Sequence, residues 1–410
     1  LFFQRCCAMF ARAPYIIARL SMSFFSAFFD WIVYGLSFLV PRNQRFWIFI
    51  GWRKNKSREI FAENPKYQFL HVANNEKHLR SIWIGQDQDI CALLKKKGYE
   101  AYPITSIQGI YYSLRAGYTF VGGLLQRKHW RYTGATRIIQ LWHSKSLKKT
   151  GYNSPYGLSR YNHFLSGNLF RKPYKFIAIS EFLAPFITSD FHISKKDILI
   201  TGIPKHDALL ADISGADIDL DTNLSSRIQQ AKARRPSRLL LYGPTFRPDG
   251  SNPLKDFDAT AFDAFLRSRN DICIISLHPK FSTREWIPEG TNYTNILFSQ
   301  SDLDIYPLLN AFDALITDYS SLVFDFLYLG KPVILYAFDF NTFKENMGVY
   351  DELWDAIPGE KVFTFPHLLE ALSVDLLTYQ KDIEAARKKI FTFNDAGATK
   401  RITDFLLENQ

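Results

Sequence analysis

The chain has 410 residues, of which 47% are hydrophobic and 16% aromatic, so global disorder is excluded and two or three domains with sizeable cores are expected. The formal net charge of +10 predicts an acidic partner, such as nucleic acid, anionic lipid or a phosphorylated substrate, with ordinary solubility charge as the alternative. The cysteines Cys6, Cys7, Cys91 and Cys273 lack CxxC or metal-binding spacing and favour a reducing, cytoplasmic-side location.

The segment Leu20–Val40 is rich in Phe, Leu, Ile, Val and Trp and is about long enough to cross a bilayer. Asp30 would be costly at a bilayer centre, and polar residues recur along the segment at helical spacing. Arginines flank the segment on both sides, which argues against a clean span. We therefore expect residues 1–44 to form an apolar, amphipathic segment that lies in the membrane interface. The alternative is a pair of helices packed on the protein's own core.

From Arg45 onward, short apolar strands alternate with polar helical stretches. This alternation predicts a parallel α/β sheet with both faces covered, and we assign it to a first domain over residues 45–200. Active sites in such sheets lie beyond the carboxyl ends of the strands. The elements predicted here are the strands Trp47–Ile50, Ser81–Ile84, Thr136–Leu141 and Phe176–Ile179 and the helix Asp89–Lys97.

One predicted strand runs almost directly into His143, and Lys145, Lys148 and Lys149 follow it. A histidine at a strand end beside three lysines is a candidate general base next to an anion site. The alternative is a surface histidine with its hydrogen bonds satisfied, followed by solvated lysines.

A second series of strands predicts a second domain over residues 201–410, with the boundary near Thr201. The polar stretch Ala211–Arg238 predicts a surface helix and a connection. The other elements predicted here are the strands Ile198–Ile200, Leu239–Tyr242, Asp271–Leu277, Ala314–Ile316 and Val333–Tyr336 and the helices Leu322–Leu329 and Ile402–Leu407.

Polar residues follow two of these strands. Arg247 lies just beyond one strand end, where a guanidinium group can hold a phosphate with two parallel hydrogen bonds. Thr317, Asp318, Ser320 and Ser321 form a turn between a strand and a helix, and the helix dipole and free N–H groups there suit a phosphate. The alternative is that Asp318 or a serine only caps the helix.

These motifs resemble, in order, those of the CDP-glycerol glycerophosphotransferase family, the primases and polymerases of teichoic acid and related capsular polymers. The chain departs from the family pattern at Ser144 and Ser146, where glycine and proline are usual, and at Lys205, where arginine is usual. The matching segments are Trp142-His143 with Leu147–Gly151 (WHG-x-PLKK-x-G), Thr201–Asp207 (TG-x-PR-x-D), Tyr242–Arg247 (Y-x-PT-[FW]-R), His278-Pro279 and Thr317–Ser321 (TDYSS).

The resemblance implies roles for individual residues. His143 would be the catalytic base and His278 a second catalytic histidine at the donor pyrophosphate. For Asn64 and Lys66, a turn before a helix is the alternative to an acceptor contact. The implied contacts are Arg247, Thr317, Asp318, Ser320 and Ser321 for the donor phosphates, Lys205, Pro244, Thr245, Asp339 and Gly348 for the donor nucleotide or polyol, and Lys145, Lys148, Lys149, Asn64 and Lys66 for the acceptor or another anion.

The resemblance also implies two facing Rossmann-like domains of GT-B type with the active site between them. The implied reaction moves a polyol phosphate, with glycerol favoured, from CDP-glycerol or CDP-ribitol to a polyprenyl-linked saccharide or a polyol-phosphate polymer and releases CMP. It requires no cofactor or metal, and the sequence has no phosphate loop, metal motif or nucleic-acid-binding module. The implied location is the cytoplasmic face of the bacterial cell membrane, peripheral or monotopic, on an anionic surface.

Two alternatives remain open on the sequence. One is a GT-B glycosyltransferase that uses a nucleotide sugar, since such an enzyme shares the fold and a phosphate site at a helix end. The other is a non-catalytic, membrane-attached protein that binds anionic polymers, for which the substitutions at Ser144 and Ser146 leave room.

Overall fold

The computed structural model describes residues 26–51, 59–125, 127–155, 172–247, 250–277, 293–300 and 303–409. In these residues the strands form two sheets whose neighbours are all parallel, so the predicted parallel α/β class is confirmed. The predicted boundary near Thr201 falls just after the last strand of the first sheet.

The first sheet has the order β3-β2-β1-β4-β5-β6-β7. Its first strand lies in the interior and the order reverses between β1 and β4, as in a Rossmann fold. Its strands are β1 (Asn43–Ile50), β2 (Arg80–Gly85), β3 (Ala101–Pro103), β4 (Ala116–Val121), β5 (Arg137–Gln140), β6 (Lys175–Ala178) and β7 (Ile198–Ile200).

The second sheet has the order β10-β9-β8-β11-β12-β13, so it repeats the Rossmann arrangement with its reversal between β8 and β11. A ligand site is expected outside the carboxyl ends of these two strands. The strands are β8 (Leu239–Gly243), β9 (Ile272–Leu277), β10 (Ile296–Gln300), β11 (Ala314–Thr317), β12 (Val333–Tyr336) and β13 (Lys361–Val362).

Helices connect the strands and cover the sheets. Helix α1 is described over residues 26–37. The others are α2 (Glu63–Asn75), α3 (Gln88–Lys96), α4 (Ile107–Arg115), α5 (Arg127–Trp130), α6 (Ala184–Phe191), α7 (Pro204–Leu210), α8 (Thr222–Ala233), α9 (Ala259–Arg269), α10 (Tyr306–Leu309), α11 (Leu322–Tyr328), α12 (Phe340–Met347), α13 (Asp351–Ala356), α14 (Phe365–Ser373), α15 (Gln380–Ile390) and α16 (Ala398–Glu408).

The central strands are buried on both faces, which explains their nearly continuous apolar sequences. In β1, Trp47 and Phe49 point into one core while Ile48 points into another on the opposite face of the sheet. Phe49 stacks on Phe120 of β4 with ring centroids 4.5 Å apart. Burying each such side chain stabilises the fold by about 1.5–3 kcal/mol.

Contacts at several places join the two halves of the chain. A short antiparallel contact joins residues 147–149 to 348–350, in which Lys149 N–H donates to Gly348 O at 3.0 Å. The last helix, α16, crosses back to the first domain, where the Gln68 amide on α2 donates to Thr403 Oγ1 at 2.9 Å. The same helix also contacts α7 of the second domain, where the N–H groups of Ala398 and Thr399 each donate to Asp207 at 2.9 Å. It therefore packs against both halves of the chain.

Helix α1 packs on the first domain through its polar side. Asp30 is buried and accepts from Arg131 at 3.0 Å, and the buried Ser37 hydroxyl accepts from Gly134 N at 2.8 Å. Arg42, just beyond the helix, donates to three backbone carbonyls. The opposite side carries exposed apolar residues, here called the outer face: Phe28, Phe29, Ile32, Leu36 and Leu39.

Within the described ranges, the structure has no helix that combines the length and apolar character needed to span a membrane. Of the polar residues predicted to recur at helical spacing in this segment, Asp30 and Ser37 face the protein and Ser26 is exposed. The part of this prediction that concerns residues 1–25 lies outside the described residues.

Candidate active site

A cavity of about 430 Å³ lies between the carboxyl ends of the two sheets. Such a volume suits a small-molecule ligand. Both halves of the chain contribute polar side chains to its wall. Among them are Glu63, His143, Ser146, Lys148 and Thr150 from the first domain and Thr245, Tyr306, Ser320 and Ser321 from the second.

His143 follows β5 and lines the cavity. Its Nδ1 lies 3.2 Å from the carbonyl oxygen of Gly122, which can only accept a hydrogen bond. Nδ1 therefore carries the proton, and Nε2 carries the lone pair in this tautomer. Trp142 stacks on the ring with centroids 4.5 Å apart and restricts its rotation. These contacts give the imidazole the form that a general base requires.

Both neighbours of His143 have a backbone conformation that L-residues rarely adopt. The φ angle is +47° at Trp142 and +113° at Ser144. Each such residue costs roughly 1–3 kcal/mol, and such strain clusters at functional sites. The turn that presents the imidazole is therefore held by the packing around it.

Lys148 places a cation in the same cavity wall. Burial lowers the pKa of its ammonium group, and the carboxylate of Asp318 offsets part of that effect. Its ammonium group makes no ion pair with any residue in the described part of the chain. An anion bound beside Lys148 would favour the charged ammonium form, which burial disfavours.

Thr245 supplies a hydroxyl group that is ready for a ligand. Its Oγ1 is buried and finds no hydrogen-bond partner within the described ranges, although a buried hydroxyl without one is costly. Its backbone N–H donates to Asp318 at 2.9 Å, which fixes the residue in place. The adjacent Pro244 also lines the cavity.

Ser320 and Ser321 lie at the start of α11 and line the cavity opposite the first domain. The Ser320 hydroxyl accepts from Leu322 N at 3.2 Å, whereas Ser321, the N-cap residue of this helix, makes no side-chain capping bond. The Ser320 hydroxyl still has its own proton to donate to a ligand.

A framework of charged groups holds these two loops together from behind. Asp318 accepts from the N–H groups of Thr245 and Tyr319, and Arg247 donates to it at 2.9 Å. Arg247 also forks onto Asp339, with distances of 2.7 and 3.0 Å. Burial lowers the pKa of Arg247, but the two carboxylates raise it more, so the net shift is upward.

Four residues predicted to contact the donor belong to this framework or lie behind the cavity wall. Arg247 and Asp318 are buried and bonded to each other and to the protein, and Thr317 Oγ1 donates to Gly243 O at 2.7 Å. Asp339 is occupied by Arg247 and by the Tyr319 hydroxyl. These groups position the cavity loops but do not line the cavity.

A family model described as CDP-Glycerol:Poly(glycerophosphate) glycerophosphotransferase matches residues 34–408. The chain belongs to this glycerophosphotransferase family. The match spans both sheets and every described residue of the cavity wall, so the family relationship includes the site.

Two relatives illustrate the similarity. The teichoic acid ribitol-phosphate primase of Bacillus spizizenii is 28% identical over 66% of this chain and 69% of its own length. The teichoic acid ribitol-phosphate polymerase TarL of Staphylococcus aureus is 26% identical over 66% of this chain. The matched part spans only 48% of the polymerase, about half of its length.

Solved structures share the fold. A variant of the wall teichoic acid polymerase TagF superimposes with a TM-score of 0.70 at 19% identity and covers 90% of each chain. The UDP-GlcNAc 2-epimerase from Neisseria meningitidis, a GT-B-like neighbour, superimposes with a TM-score of 0.53 at 15% identity and covers 88% of this chain and 99% of its own.

Two predicted acceptor contacts have structural partners instead. The Asn64 amide donates to the carbonyls of Leu141 and Trp142, at 3.2 and 2.7 Å. Lys66 is fully buried and donates to Asp304 at 2.7 Å and to two backbone carbonyls. All three ammonium protons of Lys66 are used, so it has none for an acceptor.

Three lysines predicted to contact the donor or the acceptor also lie outside the cavity wall. Lys205 is buried beside Asp325 and Tyr306, and Lys145 is buried in an ion pair with Asp190. Lys149 points to the opposite side of the 147–149 segment from Lys148, since side chains alternate there.

Gly348 has a φ of +72°, and a Cβ there would lie 2.8 Å from the side chain of Lys149. Glycine at this position lets residues 147–149 pass close to residues 348–350. His278 lies outside the described residues, so its predicted role stays a prediction.

The sequence did not single out Glu63, Tyr306 or Ser276, which all line the cavity. Glu63 directly precedes Asn64, which was predicted to contact the acceptor, and this was the available signal. Within the described residues there is no group of three side chains suited to a metal ion.

Proposed function

We propose that this chain transfers a polyol phosphate, with glycerol phosphate favoured, from a CDP-polyol to a hydroxyl of a lipid-linked saccharide or a growing polyol-phosphate polymer in teichoic acid or capsule-type synthesis, and releases CMP. The observation that carries the proposal is the composition of the cavity. His143 and Lys148 meet Thr245, Ser320 and Ser321 around a space of about 430 Å³. A base, a cation and hydroxyl donors are the groups that phosphoryl transfer to an alcohol needs.

The proposed reaction is a direct in-line displacement. The acceptor hydroxyl gives its proton to Nε2 of His143 while its oxygen forms a bond to the β-phosphorus of the CDP-polyol. The bond from that phosphorus to the bridging oxygen breaks, and the electron pair leaves with CMP. Lys148 and the hydroxyls of Thr245, Ser320 and Ser321 offset the charge on the phosphates. Positioning and electrostatics supply the catalysis, so the proposal includes no metal ion.

Donor binding and turnover test this proposal together. We expect CDP-glycerol or CDP-ribitol at about a hundred times its Kd to raise the free energy of unfolding by roughly 2.7 kcal/mol. CMP should then be released only when acceptor is added. Transfer of a sugar without its phosphate from a UDP-sugar would instead identify a glycosyltransferase. Salt-sensitive polymer binding without turnover would support the non-catalytic alternative.

We further propose that α1 lies in the interface at the cytoplasmic face of the bacterial membrane, as a peripheral or monotopic attachment. The apolar outer face supports this, because the polar residues Asp30 and Ser37 are bonded to the protein while the apolar side chains of the outer face are exposed. The net charge of +10 favours an anionic surface. Such attachment would bring the cavity to a lipid-linked acceptor.

A further inference from the structure

Glu63 is an acidic side chain in a cavity that otherwise suits phosphates. It begins α2, lines the same cavity as His143 and keeps 20% of its side chain exposed. Its φ of +64° places it in the left-handed region, which is costly for a residue with a side chain. The surrounding contacts therefore hold Glu63, and with it the carboxylate, in a backbone conformation that the residue does not favour by itself.

The second domain anchors this carboxylate. The hydroxyl of Tyr306 lies 3.3 and 3.4 Å from its two oxygens. The ammonium group of Lys205 lies 3.7 Å away, is fully buried, and also contacts Asp325. Lys205 thus acts through Glu63 and Tyr306, as a positioning residue for a carboxylate that reaches the cavity.

The first domain fixes Glu63 relative to the catalytic base. The next residue, Asn64, donates to the carbonyls of Leu141 and Trp142, which directly precede His143. Glu63 and His143 therefore belong to one rigid unit. The hydroxyl groups suited to the donor phosphates, on Thr245, Ser320 and Ser321, come from the second domain, whereas Lys148 comes from the first.

The charge of Glu63 restricts what it can hold. A carboxylate repels a diphosphate but accepts strong hydrogen bonds from hydroxyl groups. A polyol-phosphate acceptor ends in neighbouring hydroxyls, of which only one attacks. We propose that Glu63 accepts a hydrogen bond from the hydroxyl next to the attacking one, a proposal that rests on the proposed function. In this way Glu63 orients the acceptor and selects acceptors that end in a polyol.

The test uses two acceptors that differ in a single group. One ends in a glycerol phosphate unit, and the other is identical except that its terminal unit lacks the secondary hydroxyl. For the unaltered protein we expect kcat/KM to be at least tenfold higher with the first acceptor, because a hydrogen bond to a charged group is lost with the second. Glu63→Ala should abolish this discrimination, and Glu63→Gln should reduce it. Glu181→Ala, an exposed change in the same domain, should leave it unchanged.

Each result decides the inference. Equal discrimination in Glu63→Ala and the unaltered protein would overturn it. A tenfold loss of CMP affinity in Glu63→Ala would also overturn it, because the carboxylate would then hold the ribose of the donor. If Glu63→Ala fails to fold, Glu63→Gln and Tyr306→Phe carry the same comparison. CMP release with a lipid-linked saccharide but with neither polyol-phosphate acceptor would overturn this inference and leave the proposed function standing. Absence of CMP release with all three acceptors in the unaltered protein would refute the proposed function itself.

Discussion

Arg247 donates two parallel hydrogen bonds to Asp339, from Nε at 2.7 Å and from Nη2 at 3.0 Å, and it also bonds Asp318 at 2.9 Å. Arg247→Lys keeps the charge but cannot reproduce this fork. We expect it to lower the free energy of unfolding by about 2 kcal/mol, because buried carboxylates lose partners. Urea denaturation measures this change.

A surface pair provides the matched control for that substitution. Arg80 forks onto Glu100 in the same way, at 2.7 and 2.8 Å, but its side chain is 42% exposed. Arg80→Lys should therefore cost less than about 1 kcal/mol. Equal losses from both variants would contradict the framework role of Arg247.

His143→Gln should reduce the rate of CMP release by about 10²–10⁴-fold, because the amide cannot take the proton of the acceptor. Donor affinity should change little, since the imidazole acts on the acceptor side. The measurements are steady-state CMP release and the thermal shift with CDP-glycerol. His78→Gln, an exposed change outside the cavity, serves as the control. Full activity of a folded His143→Gln variant would show that His143 is not the base.

Local patterns predicted much of the fold, because parallel strands buried on both faces are apolar runs bounded by turn residues. The strand Val333–Tyr336 matches its predicted bounds, and most others differ by a residue or two. Strands β3, β4, β10 and β13 were missed. Strand β4 contains a glycine, and its burial arises from its neighbours β1 and β5. The last helix was found, but its packing on the first domain depends on contacts that no local pattern contains.

Residues of the cavity wall were predictable where a polar residue follows a strand end, as with His143, Thr245, Ser320 and Ser321. It was not predictable where the partner lies far along the chain. Arg247 and Asp339 are 92 residues apart, so a guanidinium suited to phosphate could not be distinguished from one committed to a carboxylate. The same holds for Lys66 and Asp304, which are 238 residues apart and fully buried.

Ser144→Gly should stabilise the protein by about 1 kcal/mol. Ser144 has a φ of +113°, a conformation that glycine adopts without strain, and the relief exceeds the greater flexibility of glycine in the unfolded chain. Ser146→Gly is the matched control: Ser146 has a negative φ, so the change should be neutral or destabilising. Thermal unfolding of the two variants measures the difference. A loss of stability in Ser144→Gly would show that the turn is not strained.

The pH dependence of stability should carry a contribution from Glu59. Burial raises its pKa from 4.5 to about 7, although the N–H groups of Gln86 and Asp87 lower it. The folded protein then binds more protons than the unfolded chain in this interval. The contribution is present in full below pH 4.5 and is lost as the pH rises through about 7. The total is about 3 kcal/mol at most.

Glu59→Gln removes this titration. We expect the stability of the variant to fall less steeply between pH 4.5 and 7, because the contribution of Glu59 to that decline is absent. At pH 8 the variant should be more stable than the unaltered protein. Urea denaturation at a series of pH values measures the slope. Glu181→Gln, which changes an exposed carboxylate, should keep the original slope. An unchanged slope in Glu59→Gln would assign the effect to another group.

The outer face of α1 should control binding to membranes. Phe28, Phe29 and Leu36 are each more than half exposed, so replacing all three by serine leaves the packed side of the helix intact. We expect the affinity for anionic vesicles to fall roughly a hundredfold, from the loss of about 3 kcal/mol of apolar burial. Flotation with vesicles measures the bound fraction, and high salt should weaken the remaining electrostatic attraction. As the control, serine at Phe363, Val374 and Leu377 removes exposed apolar groups from the second domain and should leave binding unchanged. If both triple variants bound vesicles as the unaltered protein does, the outer face would not be the membrane contact.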